Sequence, residues 1–485
     1  PNAPAMIHLS KGRKTLLSKR NRLLKQLFEE EIIDASTYEL AISEPLPDEP
    51  HPLPQIAPHL VTRFYQERNG LYTRSTIDKG IQTHIESLAE RWSNEFNRSD
   101  IRNLAILIID IPTNQVVAYC GNVHFDRKQG GNQVDVIQAP RSTGSILKPF
   151  LYGAMLQEGS LLPQMLLPVN INGFTPQNFS LQFEGAVPAS EALARSLNIP
   201  AVTMLQRYGV PKFHHMLQQM GFKTINRSAS HYGLSLILGG AEATLWDVTN
   251  AYAQMGRSLS NSHSNDLPQE KEVQILLGTE EKTVSERDGS RKVTSGKTIS
   301  RKTTSRKDIS EGVISEGVIS AGAAWLTLSA LTEVNRPEEI DWKSIPSMQT
   351  IAWKTGTSYG FRDAWAVGVT PRYAVGVWVG NATGEGKPGL VGAQTAGPVL
   401  FDIFNYLPSS PWFERPTGIF VDAEICRQSG HLKGRFCEET DTVLILPVGL
   451  RTEACPYHHL VTLSADESHR IYENCANTEP TIQKS

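Results

Sequence analysis

A serine and a lysine three residues apart, Ser145 and Lys148, stand in the run Arg-Ser-Thr-Gly-Ser-Ile-Leu-Lys-Pro-Phe at 141–150. Residues at this spacing share one face of a helix, where an amine can take the proton of a hydroxyl. The pair makes a serine nucleophile without a histidine. Alone it is a weak signal, because ordinary residue usage puts about one or two Ser-x-x-Lys runs in a chain this long. Two further motifs follow in order, Ser196-Leu-Asn198 and Lys354-Thr-Gly-Thr-Ser358. Peptide-bond exchange needs a nucleophile, a proton acceptor, an oxyanion site and a grip on the substrate. Ser145 offers the hydroxyl. Lys148 acts as base if burial and a neighbouring cation lower its pKa; Lys354 is that cation once its strand lies beside the helix. Ser196 can relay the proton to a leaving amine, and Asn198 can bond a substrate amide. Gly356 lets a substrate backbone approach its strand. Each residue has a plainer reading, with Ser145 as a helix cap and Lys354 as a strand-edge charge. The ordered set of three outweighs them.

The elements that position these groups are legible in outline. Ser145 is expected to open a helix running to about Gln157, with Pro149 tolerated in the first turn. Ser190–Tyr208, Thr244–Gly256 and Ala321–Leu331 read as helices. Residues 103–121 and 364–380 read as hairpins, and Thr350–Ser358 as a strand. Thr73–Trp92 reads as a short strand and then a helix with Ile81, Ile85, Leu88 and Trp92 on one face. Residues 12–43 read as helical, with a stripe from Leu16 to Phe28. Its opposite face is basic at Lys14, Lys19, Arg20, Arg22 and Lys25, a solvated face or one that meets an anionic membrane. Residues 44–58, with Pro45, Pro47, Pro50, Pro52 and Pro54, read as a linker. Residues 258–319 are rich in Ser, Lys, Arg and Glu, lack aromatics and read as a disordered insertion.

The 485 residues have an ordinary globular composition, 40% hydrophobic and 20% charged. A net charge of −3 argues against a nucleic-acid binder. No stretch approaches the ~20 apolar residues of a membrane span, and no signal peptide is visible. The chain starts at Pro1, so a leader, anchor or upstream domain is expected to precede it. Cys120 reads as a core residue. Cys426, Cys437, Cys455 and Cys475 crowd the end of the chain. Disulfides or free thiols are the expected state there, although Cys455-Pro-Tyr-His458 also has zinc-ligand spacing.

The three motifs together resemble those of the penicillin-recognising serine acyltransferases, which include penicillin-binding proteins and class A β-lactamases. The longer runs Gly144–Phe150, Ser190–Pro200, Leu234–Gly240 and Trp353–Trp365 look like the transpeptidase domain of bifunctional class A penicillin-binding proteins, of the 1C type. The resemblance covers roughly 60–257 and 320–405. It implies a mixed α/β fold, an antiparallel sheet with helices on both faces plus a helical subdomain. It implies segments at 1–58 (the end of a glycosyltransferase domain and a linker), 59–257 and 320–410 (transpeptidase), 258–319 (insertion) and 411–485 (a Cys-containing segment). The implied activity is D,D-transpeptidation of peptidoglycan stem peptides at the periplasmic face of the inner membrane. β-Lactams, the membrane surface and other cell-wall synthesis proteins are the implied partners. No nucleic acid, cofactor or metal is called for. By resemblance, the backbone N–H groups of Ser145 and Thr357 form the oxyanion hole, and Thr355 and Thr357, assisted by Lys354, hold the donor's carboxylate. No glutamate stands as a deacylating base, so a long-lived penicillin adduct is expected. The rival readings are a D,D-carboxypeptidase or β-lactamase, and a penicillin sensor or scaffold with little turnover.

Overall fold

The computed structural model describes residues 9, 12–48, 55–68, 71–125, 130–168, 185–260, 273–276, 318–335, 349–468 and 470–471, with the backbone of 481–484. The chain forms two compact units, Pro1–Ile56 and Ala57–Ser485. The first is a helical hairpin of α1 (Arg13–Glu29) and α2 (Ala35–Ser43). The expected continuous helix breaks at Glu31, which takes a positive φ of 57°. Asp34 then starts α2 by accepting from the Thr37 N–H at 2.7 Å. Arg20 of the expected basic face, together with Arg13, serves the hairpin itself. Arg20 donates to the carbonyls of Ile42 and Glu44, and Arg13 to those of Leu46 and Pro47. These are carbonyls that a helix end leaves without a partner, or that follow it directly.

The second unit begins with α3 (Pro58–Glu67), α4 (Lys79–Phe96), β1 (Asn103–Asp110), β2 (Gln115–Cys120) and β3 (Arg141–Ser142). Next come α5 (Lys148–Glu158), β4 (Leu166–Pro168), β5 (Ala186–Pro188), α6 (Ala189–Ala194), α7 (Asn198–Tyr208), α8 (Val210–Gln219) and α9 (Ala229–Tyr232). After them lie β6 (Glu242–Ala243), α10 (Leu245–Ser260), α11 (Ala321–Leu331), β7 (Ala352–Thr357), β8 (Asp363–Val369), β9 (Tyr373–Gly380) and α12 (Ala396–Tyr406). The unit ends with β10 (Val421–Cys426), β11 (Thr440–Ile445), β12 (Val461–Ser464) and β13 (Thr481–Lys484).

A five-stranded antiparallel sheet, ordered β2-β1-β9-β8-β7, organises this unit. β1, β8 and β9 are buried at every position, which is why they read as unbroken apolar runs rather than alternating ones. Leu104, Ile106 and Ile108 of β1 pack with Ile85 and Leu88 of α4 and with Leu400 and Phe404 of α12. The intervening Ala105, Leu107 and Ile109 are equally buried, on the face that meets α10. Asp78 caps α4 through the Ile81 N–H. The outer edge of β2 is sealed. Gln82 of α4 bonds both the N–H and the carbonyl of Tyr119, and the Gln274 carbonyl accepts from the Val116 N–H. Gln274 belongs to 258–319; of that stretch 258–260 continue α10, 273–276 lie beside β2, and 318–320 lead into α11, while the rest falls outside the described residues. The other edge strand is β7, and among the described residues nothing pairs with its outer side.

Candidate active site

The segment before Ser145 is clamped from three directions. The Trp365 indole on β8 donates to the Ser142 carbonyl at 2.8 Å. The Thr143 N–H donates to Ala241 and the Ser142 hydroxyl to Gly239. Gly144 has φ 51°, and a Cβ there would lie 2.6–2.8 Å from the backbone N, C and O of Thr357. A Cβ on Gly239, φ 101°, would in turn meet the Gly144 backbone at 2.8–2.9 Å. Only glycines permit this stack. Its result is that the backbone of Gly144, next to Ser145, lies closely against the Thr357 backbone. The expected helix start moves by one turn: Ser145 sits in the turn ahead of α5, and Lys148 is the first helical residue with Pro149 next to it. The Lys148 N–H reaches back to the Ser145 carbonyl, and the Tyr252 hydroxyl of α10 holds the Ile146 carbonyl at 2.8 Å.

Lys148 and Lys354 are almost fully buried, at 1% and 2% exposure. Among the described residues no carboxylate contacts either ammonium. Lys148 Nζ donates to the carbonyls of Ser196 (2.7 Å) and Leu197 (3.2 Å) and to Asn198 Oδ1 (2.8 Å). Lys354 Nζ donates to Ser196 Oγ (2.7 Å) and to its neighbour's carbonyl at Thr355 (2.8 Å). Burial pushes the Lys148 amine well below its ordinary range, and the nearby Lys354 charge adds to the effect. Burial alone brings Lys354 down to about 7.

Ser196 joins the two lysines through its backbone conformation. The expected helix over 190–208 is split into α6 and α7, and Ser196 lies in the break with φ 57°. A non-glycine residue in this region costs roughly 1–2 kcal/mol. The break is held by the bonds Ser196 N–H to Leu193 and Leu197 N–H to Ala192. In return it turns the Ser196 carbonyl to Lys148 and its hydroxyl to Lys354. Asn198 follows as the first residue of α7.

Alternation along β7 separates the remaining residues. Lys354 and Gly356 share one face, and Thr355 and Thr357 the other. Both threonines are half-buried. The Thr357 hydroxyl already accepts from the Gly392 N–H at 3.0 Å. Gly356 has a use beyond the expected one. The space a Cβ would take is filled by the Thr143 carbonyl at 2.8 Å and by Trp365, so this glycine also admits the clamped segment. Sequence reasoning missed Trp365, Tyr252 and Gly239 as supports of the nucleophile. Gly239 lay within a quoted run, but nothing in that run said what it would touch.

An antiparallel sheet between helical layers, with the Ser-x-x-Lys turn laid against an edge strand carrying Lys-Thr-Gly, defines the fold of the penicillin-recognising serine acyltransferases. The comparisons with known proteins narrow this class. The family "Penicillin binding protein transpeptidase domain" matches residues 104–265. That span includes Ser145, Lys148, Ser196 and Asn198 and stops short of Lys354. Penicillin-binding protein 1C of Escherichia coli (strain K12) is 30% identical over 412 residues, 84% of this chain and 48% of that protein. Penicillin-binding protein 1B of Vibrio cholerae is 24% identical over 440 residues, 86% of this chain and 52% of that protein. Among solved structures, penicillin-binding protein 1A from Haemophilus influenzae shares the fold with a TM-score of 0.65 at 16% identity, covering 94% of this chain and 85% of that one. The chain belongs to the penicillin-binding proteins and carries their serine-type transpeptidase domain. It spans about half the length of the curated relatives it matches.

Proposed function

We propose that this chain cross-links peptidoglycan stem peptides as a D,D-transpeptidase, with Ser145 as the acylated residue. The observation that carries the reading is the pair of buried lysines joined through Ser196 beside the Ser145 turn. A protonated Lys148 spends its three N–H donors on Ser196, Leu197 and Asn198. A neutral Lys148 has only two, and its lone pair is then free for the Ser145 hydroxyl one turn back. Its lowered pKa makes the neutral form more accessible than in an ordinary lysine. Ser145 Oγ attacks the carbonyl of the penultimate D-Ala as Lys148 takes its proton. The N–H groups of Ser145 and Thr357, brought together by the Gly144 contact, stabilise the oxyanion; one such donor is worth ~3–4 kcal/mol in the transition state. Because Ser196 Oγ accepts from Lys354, it can pass its own proton to the leaving nitrogen while Lys354 replaces it. In the return step the acceptor amine's proton goes back through Ser196 to Lys354, and Lys148 reprotonates Ser145. Terminal D-Ala departs, and an amine of a neighbouring stem peptide attacks the ester to regenerate Ser145. The donor peptide lies along the open edge of β7, with Asn198 on a backbone amide. Its carboxylate is held by Lys354, Thr355 and Thr357, the last hydroxyl accepting from the Gly392 N–H and keeping its own proton to donate.

No helix among the described residues is long and apolar enough to cross a membrane. The place of action we propose is the periplasmic face of the inner membrane. Residues 1–58 fit the role of a junction to a glycosyltransferase domain, by likeness to relatives about twice as long. The test is a labelled penicillin followed by peptide mapping. A stable adduct on Ser145 is expected. Folded protein that takes up no label would sink the reading. Offering an acceptor amine to the acyl-enzyme separates transfer from hydrolysis. If the acyl group passes to water alone, the carboxypeptidase or β-lactamase reading replaces this one.

A further inference from the structure

The C-terminal segment was expected to be held by disulfides or to carry free thiols, and Cys475 lies outside the described residues. Cys426, Cys437 and Cys455 are free thiols, all buried, and they converge on His458. The four ligand atoms lie within 4.8 Å of one another. His458 Nδ1 is 3.5 Å from Cys426 Sγ, 3.4 Å from Cys437 Sγ and 3.4 Å from Cys455 Sγ. One imidazole nitrogen carries one proton or one lone pair, so it cannot hydrogen-bond three sulfurs at once. Equal spacing from all three instead fits the corner of a tetrahedron. With metal–sulfur and metal–nitrogen bonds of about 2.3 and 2.05 Å, the sulfur–nitrogen edge of a tetrahedral zinc site is about 3.5–3.6 Å.

We propose that Cys426, Cys437, Cys455 and His458 bind one zinc ion that fixes the C-terminal segment to the transpeptidase domain. Three sulfurs and one nitrogen are the ligands of a closed, structural zinc site, and no carboxylate is among them to favour magnesium or calcium. The surroundings match. His458 Nε2 donates to Gln428 Oε1 at 3.1 Å, which leaves the Nδ1 lone pair for a metal. The Ser429 hydroxyl points at Cys455 Sγ (3.1 Å) and the Gly434 N–H at Cys437 Sγ (3.3 Å), donors suited to thiolates. On binding, the three thiols release three protons, and the site carries a net charge of −1. The ion would close three pieces of chain: the end of β10, the turn before β11, and the stretch after the short 3₁₀ helix Pro447–Arg451. Two contacts then tie this closure to the transpeptidase core. The Ser429 carbonyl accepts from the Leu166 N–H at 2.9 Å, and the Thr452 hydroxyl donates to the Gly159 carbonyl at 2.8 Å. So small a two-stranded element, with few buried apolar residues, is of the kind that needs a staple.

The site is independent of the transpeptidase reading and is tested without reference to it. The whole chain is purified without chelator, equilibrated with equimolar Zn²⁺ under reductant, and desalted. Elemental analysis should return about one zinc per chain. Co²⁺ in its place should show the absorption of a tetrahedral thiolate complex. His458→Ala and Cys437→Ser should each lower zinc retention about tenfold or more, while Cys120→Ser keeps it. The wild-type zinc content stands as a result even if a variant fails to fold. Absence of zinc and of the cobalt spectrum in folded wild-type protein would overturn the proposal. So would a disulfide joining any two of Cys426, Cys437 and Cys455 in peptide maps of protein isolated without reductant.

Discussion

The acylation site and the cysteine cluster both bring together side chains from separated parts of the chain, and they do so on opposite terms. Lys148 and Lys354 are two buried amines with no carboxylate partner among the described residues. They stay there because a large sheet-and-helix core surrounds them and supplies carbonyls and a hydroxyl. Their neighbourhood depresses both pKa values, and that depression is useful chemistry. The cysteines sit in a thin two-stranded element whose own core is small. There the clustered side chains are themselves the support. One site uses the stability of its surroundings; the other contributes stability to them. A catalytic centre therefore tolerates substitution structurally while losing function, and a structural ligand set behaves in the reverse way.

The comparison can be broken at several points. The largest effect is expected from Ser145→Ala, which should abolish covalent labelling by penicillin while leaving thermal unfolding nearly unchanged; a label retained at another residue would remove Ser145 from its role. Lys148→Met should slow acylation by about 10²–10⁴-fold, the usual worth of a general base, with stability kept or raised because a buried charge is gone. Loss of stability together with activity would mean that Lys148 is a structural bond donor first. Gly144→Ala places a methyl against the Thr357 backbone and should cost about 10²-fold in acylation, measured with a penicillin in stopped flow, through displacement of the oxyanion donors.

The pH profile sharpens the contrast further. Both lysines are lowered, so acylation should rise with pH as Lys148 loses its proton. It should then fall as pH passes about 7 and Lys354 loses its charge. Lys354→Arg, which stays charged, should flatten the alkaline limb at a reduced rate. An unchanged alkaline limb would assign it to another group. The smallest catalytic effect is expected at the other site. Cys437→Ser should lower the unfolding temperature and loosen 421–458 in hydrogen exchange, yet change penicillin acylation by no more than about threefold, as expected for separated sites. A large drop in acylation would show that the Ser429–Leu166 contact reaches α6 and the Ser196 turn.

How far each site could be read from sequence follows from the same difference. The serine proposed for acylation and both lysines sit in runs with a chemical logic of their own, and their order along the chain adds to it. The helices and strands of the core around them were legible because buried strands are unbroken apolar runs and α4 has a regular stripe. What escaped was contact. The motif gave no sign that Gly356 would meet Thr143 and Trp365. Ser196 was placed within a helix, yet it stands in a left-handed break between two. For the cysteines, spacing alone left disulfide, thiol and zinc open, since each needs only that sulfurs meet.

By itself the sequence determined the reacting residue types, their order, the α/β class and the family. Those depend on local pattern: side-chain chemistry, periodicity and short spacing. Only the tertiary structure decided that Ser196 links the two lysines, that the backbones of Gly239, Gly144 and Thr357 stack closely, and that three cysteines surround one histidine. Each of these is a meeting of atoms from distant parts of the chain. Such meetings are set by how the sheet, its helical layers and the C-terminal hairpin pack, and no local pattern encodes a packing distance.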